Sequence, residues 1–145
     1  MQPAQSVPGI YTLVLHLIDE REFSVGSLGK ISFAAGYYSY TGSGRGPGGL
    51  KRVQRHLQVL AGIKTTKRWH IDYLLPYTSF QEVFVTPTKV DLECQIARSI
   101  GRQLASIKGF GCSDCRCQSH LHYAKDSERM LQAVRQAHSR GFILI

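Results

Sequence analysis

Apolar residues along this chain follow two periods. Ile10 to Ile18, IYTLVLHLI, is apolar at nearly every position and rich in β-branched and aromatic residues, the pattern of a strand buried on both faces. Asp19 and Glu20 break it, and Arg21 to Val25 predicts a second, exposed strand. Gly26 to Gly29 predicts a turn, Lys30 to Phe33 a short strand, and Tyr37 to Tyr40 another. The period then becomes helical. Leu50, Val53, Leu57 and Leu60 predict a helix from about Gly49 that stops at Ala61-Gly62. In KRWHIDYLL, residues 67 to 75, Trp69, Tyr73 and Leu74, with Ile71 and Leu75 close by, make one helical face ended by Pro76. Phe80 to Thr86 predicts a strand closed by Pro87. Leu92, Ile96, Ile100, Leu104 and Ile107 form the stripe of a helix from Val90 to about Ile107, with Asp91 in its first turn. Ser119 to Tyr123 predicts a short strand, and Asp126-Ser127 caps a last helix from Glu128 to about Arg140.

At 145 residues, 43% hydrophobic and 19% charged, the chain fits one domain over residues 9–145 behind a disordered lead-in of residues 1–8. No apolar run approaches the roughly 18 residues of a membrane span, and MQPAQSVPG lacks the basic residue and apolar core of a secretory signal. Three of the four cysteines fall between Cys112 and Cys117, unlike a secreted disulfide framework. A cytoplasmic location, reduced thiols and no membrane contact are the expectation.

The charge is uneven. Between Glu22 and Asp72 there is no acidic residue, while Lys30, Arg45, Lys51, Arg52, Arg55, Lys64, Lys67 and Arg68 lie there, equal to the net +8 of the whole chain. A stretch free of carboxylates attracts polyanions, nucleic acid above all, although most charge runs are simply solvated faces. Its centre, GYYSYTGSGRGPGGLKRVQRH, joins a tyrosine strand to a basic helix through a glycine-rich turn. Backbone N–H groups of such a turn and of the helix start can approach an anion. Arg52 and His56, at i and i+4, project from one face of that helix. A phosphate site is one reading, and a surface hairpin leading into an ordinary amphipathic helix is the other.

Three further places carry candidate chemistry. His70 and Asp72 follow the Lys67-Arg68 pair, where a His or Asp is more often structural. Glu93 sits beside the buried stripe above the small Ala97, placed either to reach into a cleft or to form a boundary salt bridge. Cys112, Cys115 and Cys117 with His120 offer a thiolate and imidazole set for Zn²⁺. They crowd into one loop, however, which also suits small buried thiols.

Taken together, these residues resemble the GIY-YIG nuclease superfamily. Gly9-Ile10-Tyr11 reproduces its first signature, Tyr40-Thr41-Gly42 resembles the second, Arg52 and His56 match the basic helix, and Glu93 sits where the family places a glutamate on a later helix. The segments GYYSYTGS, RWHIDYLL and FGCSDCRCQSHLHY are similar to a branch catalogued as a domain of unknown function. The resemblance implies an α/β (α+β) domain, with a small central antiparallel sheet of three core strands, here with an extra hairpin, flanked by helices. It also implies a DNA endonuclease, structure-selective or repair-related, that uses one Mg²⁺ or Mn²⁺. Glu93 would hold the ion, Arg52 would contact the scissile phosphate, and Tyr11 or Tyr40 would deprotonate or orient water, with His56 assisting. Many members carry a late asparagine. This chain has none, so Ser113 or Asp114 would stand in, Asp114 as a second carboxylate on the metal. Arg45, Lys51, Arg55, Lys64, Lys67 and Arg68 would track the nucleic acid. Nothing in the sequence separates RNA from DNA, and no targeting domain is present, so a protein partner would supply specificity. The alternatives are a silent nucleic-acid binder and a zinc-stabilised interaction module.

Overall fold

A computed structural model describes residues 8–44, 49–112 and 117–143 of the protein. Its organising element is β1 (Gly9–Leu17), apolar on both faces and therefore placed inside the sheet. Around it run β2 (Arg21–Ser24), β3 (Lys30–Phe33), β4 (Gly36–Ser43), α1 (Lys51–Leu60), a short α2 (Ile71–Leu74) continued by a 3₁₀ turn, β5 (Ser79–Pro87), α3 (Glu93–Gly101), β6 (Ala105–Ser106), β7 (Leu121–Ala124) and α4 (Ser127–Ile143). The main sheet is antiparallel in the order β5-β1-β4-β7-β6, and β2 and β3 form a separate hairpin. The α+β class and the extra hairpin are as expected. The sheet has two strands more than the three-stranded core.

Strand alternation sorts β1 between two cores. Tyr11, Leu13, Leu15 and Leu17 face a core shared with Tyr38, Tyr40, Val59, Leu74 and Phe110, over which the β2–β3 hairpin lays Val25 and Phe33. Ile10 and Val14 face a second core built from Ile96 and Ile100 of α3 and Met130, Val134 and Ala137 of α4. Thr12 and His138 add a polar clasp on that side. The Thr12 hydroxyl lies 3.0 Å from Thr41 Oγ1 and 2.8 Å from His138 Nε2, and Thr86 Oγ1 lies 2.8 Å from His138 Nδ1. Gly9 faces Pro87 in the ladder, where a Cβ would sit 2.9 Å from the Thr86 carbonyl oxygen.

Two expected helices are shorter than predicted. The helix over 90–107 stops at Gly101, and Ala105 instead pairs with Tyr123 as β6. Leu104 still buries with Ile100, whereas Ile107 packs against the other core and donates its N–H to the Leu121 carbonyl. A helical spacing was thus met by residues in two conformations. In KRWHIDYLL the Asp72 carboxylate accepts the N–H groups of Arg68 at 2.7 Å and Trp69 at 3.0 Å, so 67–70 is a loop and the helix is a single turn. The last helix runs three residues further than expected, to Ile143. Among the described residues no helix is long and apolar enough to cross a membrane. The expected lead-in falls on residues 1–7, outside the described residues, and on Pro8.

Candidate active site

The β1–β4 register places the two signature tyrosines. Tyr11 lies opposite Gly42 and Leu13 opposite Tyr40, so Tyr11 and Tyr40 are diagonal neighbours on one face of the sheet. The glycine has a steric reason, because a Cβ at residue 42 would lie 2.6 Å from the Tyr11 ring carbon bearing the hydroxyl. Tyr11 occupies that space.

Above this face, α1 turns His56 and Val59 inward, with Val53 and Leu60 beside them, while Leu57 of the expected stripe is half-buried. His56 is fully buried, and its Nε2 lies 2.7 Å from Tyr11 Oη. Its Nδ1 has no partner among the described residues. One turn earlier Arg52 is exposed at the start of α1, donates to the Ser43 carbonyl at 2.9 Å, and lies 4.9 Å from the centre of the Trp69 ring. Arg55 at 4.5 Å and Arg68 at 5.8 Å also face that indole, so three guanidinium groups surround Trp69.

The first turn of α3 closes the other side. Glu93 and the exposed Asp91 bring carboxylates to the same cleft, and the Asp91 carboxylate accepts the Glu93 N–H at 3.4 Å. Glu93 Oε2 lies 3.1 Å from Nδ1 of the buried His120, within ion-pair reach but off the line of a good hydrogen bond. The cleft has a volume of about 370 Å³, and Tyr11, Tyr40, Arg52, His56 and Glu93 all line it. Elements far apart in sequence therefore supply a single site.

Burial sets the protonation states. The Tyr11 phenol is pushed well above its ordinary value by burial, with Tyr40 and Glu93 adding to the rise and Arg52 opposing it. Burial also drives Tyr40 up, with the Glu93 charge reinforcing it and Arg52 opposing. His56 is driven down to about 4 by burial, against the pull of Asp72 and with help from Arg55 and Arg52. At neutral pH the cleft thus holds two protonated phenols and a neutral imidazole.

Other expected residues have different surroundings. Burial alone would raise Asp72, yet the two Arg55 N–H groups at 3.1 Å and the Trp69 and Arg68 amides hold its carboxyl below the ordinary value. Asp72 thus anchors the Trp69 loop to α1, and Arg55, expected on nucleic acid, is committed to that ion pair. His70 lines the cleft but accepts the Gly111 N–H on Nδ1 at 2.9 Å. Arg68 lines the cleft, whereas Lys51, Lys64 and Lys67 are exposed outside it. Arg45, Ser113, Asp114 and Cys115 lie outside the described residues.

Of the expected zinc set, Cys117 and His120 come together, while Cys115 lies outside the described residues. Among the described residues the metal-ligating side chains that converge are Cys94, Cys117 and His120, all within 4.8 Å of one another. The Cys112 thiol donates to the Phe110 carbonyl at 3.6 Å. Cys94 was not anticipated, because its partners come from a segment more than twenty positions later. Asp91 was noted only for its place in the first helical turn, and Trp69 only as part of an apolar face. The nearest signal is the position of each within two residues of one already singled out, Glu93 for Asp91 and Cys94, Arg68 for Trp69.

Fold and site together describe a small α+β domain with a polar, partly cationic cleft at one end of its sheet. The chain belongs to the family described as a domain of unknown function, DUF123, whose model matches residues 10–142. No curated protein and no solved structure matches it.

Proposed function

We propose that the protein is a GIY-YIG-type, divalent-metal-dependent DNA endonuclease. The observation that carries this reading is the convergence of Tyr11, Tyr40, Arg52, His56 and Glu93 on one cleft. The donor set fits a hard cation. Glu93 and Asp91 supply carboxylate oxygens, and Mg²⁺ or Mn²⁺ is commonly held by one or two carboxylates with waters filling the other positions. When bound, such an ion would offset charge developing on the phosphate oxygens and activate water.

The protein's own groups complete the chemistry. Arg52, at the mouth of the cleft, has donors beyond the one spent on Ser43 and would bind the non-bridging oxygens. The start of α1, which has no side-chain cap, adds N–H groups at the same end. Neutral His56 is placed to accept a hydrogen bond from the Tyr11 phenol, so that Tyr11 and Tyr40 would orient the attacking water. Arg68 and the exposed Lys51, Lys64 and Lys67 extend the positive surface along which a strand would lie.

The Trp69 cluster favours a second reading, a nucleic-acid binder without turnover. Trp69 offers an aromatic face among arginines, and this arrangement does not depend on Glu93. The test is cleavage of labelled duplex, single-stranded, flap and four-way-junction DNA with Mg²⁺, Mn²⁺ or EDTA. The parent would be run beside Glu93→Ala and Tyr11→Phe. Metal-dependent cutting that falls by about 10² or more in both variants is expected. Salt-sensitive binding with no cutting under any metal leaves the silent binder in its place.

A further inference from the structure

We infer that Cys94, Cys117 and His120 form a binding site for one soft divalent metal ion of the zinc class, distinct from the hard-cation site at Glu93. These donors come from two parts of the chain, the first turn of α3 and the approach to β7, and all three ligand atoms lie within 4.8 Å of one another. Cys94 Sγ and His120 Nε2 are 3.9 Å apart. Around a tetrahedral Zn²⁺, a sulfur and a nitrogen ligand stand roughly 3.6 Å apart, given the usual bond lengths. That pair needs a contraction of only about 0.3 Å, and the remaining separations, at most 4.8 Å, need no more than about 1 Å to close the set. Two thiols and an imidazole are the donor chemistry zinc prefers over magnesium.

Three surrounding features suit this role. Cys94 sits in the first turn of a nine-residue helix, where the macrodipole favours a thiolate. His120 turns Nε2 toward Cys94 and Nδ1 toward the Glu93 carboxylate. Ligation through Nε2 would leave the ring proton on Nδ1, where the nearby carboxylate could align with it and orient the imidazole. The Gly111 backbone runs close beside His120. A Cβ on Gly111, whose φ is +76°, would meet His120 Cβ at 3.1 Å. Cys94 and His120 line the cleft while Cys117 is buried, so the ion's fourth position would open toward solvent. Through His120 the ion would set where the Glu93 carboxylate rests. Glu93 thus faces both the soft site, through His120, and the rest of the cleft.

The test needs no nucleic acid, so its outcome is separate from that of the nuclease reading. The full chain is loaded with Zn²⁺ or Co²⁺ and desalted, and metal per chain and the thiolate-to-Co²⁺ charge-transfer absorption are measured. One equivalent should be retained by the parent and by Cys112→Ala. Affinity should fall at least tenfold in Cys94→Ala and Cys117→Ala, with loss of the charge-transfer signal in the double variant. Because these variants could misfold, the parent is also alkylated with and without Zn²⁺ and mapped by mass spectrometry. Zn²⁺ should slow modification of Cys94 and Cys117 at least tenfold and leave Cys112 unchanged. Substoichiometric metal without protection of Cys94 and Cys117 would overturn the site, as would full retention by a folded double variant.

Discussion

Replacing Gly42 by alanine tests the geometry at the centre of the cleft with one methyl group. Its Cβ would lie 2.6 Å from Tyr11 Cζ, whereas ordinary contacts begin near 3.4 Å, so the ring must withdraw by 0.8 Å or β4 must shift. The same displacement would stretch the 2.7 Å Tyr11–His56 contact to about 3.5 Å, the limit of a useful hydrogen bond. Overpacking costs about 1–3 kcal/mol, and the lost buried hydrogen bond adds about 1 kcal/mol. A destabilisation of about 2–4 kcal/mol is expected. For a chain of this length that is a fall in Tm of about 6–12 °C, read by urea titration and thermal unfolding. In a Tyr11→Ala background the ring is gone and Gly42→Ala should cost much less, giving a coupling energy of about 1.5 kcal/mol or more. A single variant within about 0.5 kcal/mol of the parent would refute the steric argument, as would an equal loss in the Tyr11→Ala background.

Acid should unfold the protein through its buried histidines. His56 and His138 are both lowered to about 4 by burial, so the unfolded chain binds protons near pH 6.5 that the folded chain refuses. The stability they contribute is complete above about pH 6.5 and is lost as pH falls toward 4, on the order of 3 kcal/mol for each. Ring-proton NMR titrations should place both midpoints near pH 4, and midpoints near 6.5 would contradict the burial argument. Arg55→Ala strands the buried Asp72 carboxylate and should cost about 3 kcal/mol or more in a denaturation experiment, with part regained in Arg55→Ala/Asp72→Ala. Lys64→Ala, on the exposed loop, should leave stability within about 0.5 kcal/mol and show its effect only as weaker, salt-dependent DNA binding.

Local pattern was enough to read β1, because nine residues apolar on both faces have one place in a sheet. It was also enough for β3, whose bounds match those expected. The five residues of the proposed site were identified from the order of their motifs, and Tyr11, Tyr40, Arg52, His56 and Glu93 do share one cleft. What escaped depends on contacts across the fold. Asp72 drew attention as a polar group in an apolar run, but its pairing with Arg55 became visible only once α1 lay beside the Trp69 loop. The spacing of Cys112, Cys115 and Cys117 points within one loop, and among the described residues Cys117 also meets Cys94 from a helix, a partner that no local spacing could reveal. The break at Gly101 was hidden because Leu104 and Ile107 continue a helical spacing after the helix has ended.

The two cores on either side of β1 divide responsibility for the cleft. Tyr11, Tyr40 and His56 are fastened to the core under α1, while Glu93 is carried by α3, whose Ile96 and Ile100 belong to the other. The sheet between them acts as a shared baseplate, with each half of the chemistry bolted to its own side. Loosening the α3–α4 layer would let the carboxylate drift while tyrosines and histidine stayed in register. If heating loosens that layer first, amides of α3 should exchange with solvent ahead of those in β1 and β4, and the proposed site should come apart before the sheet melts.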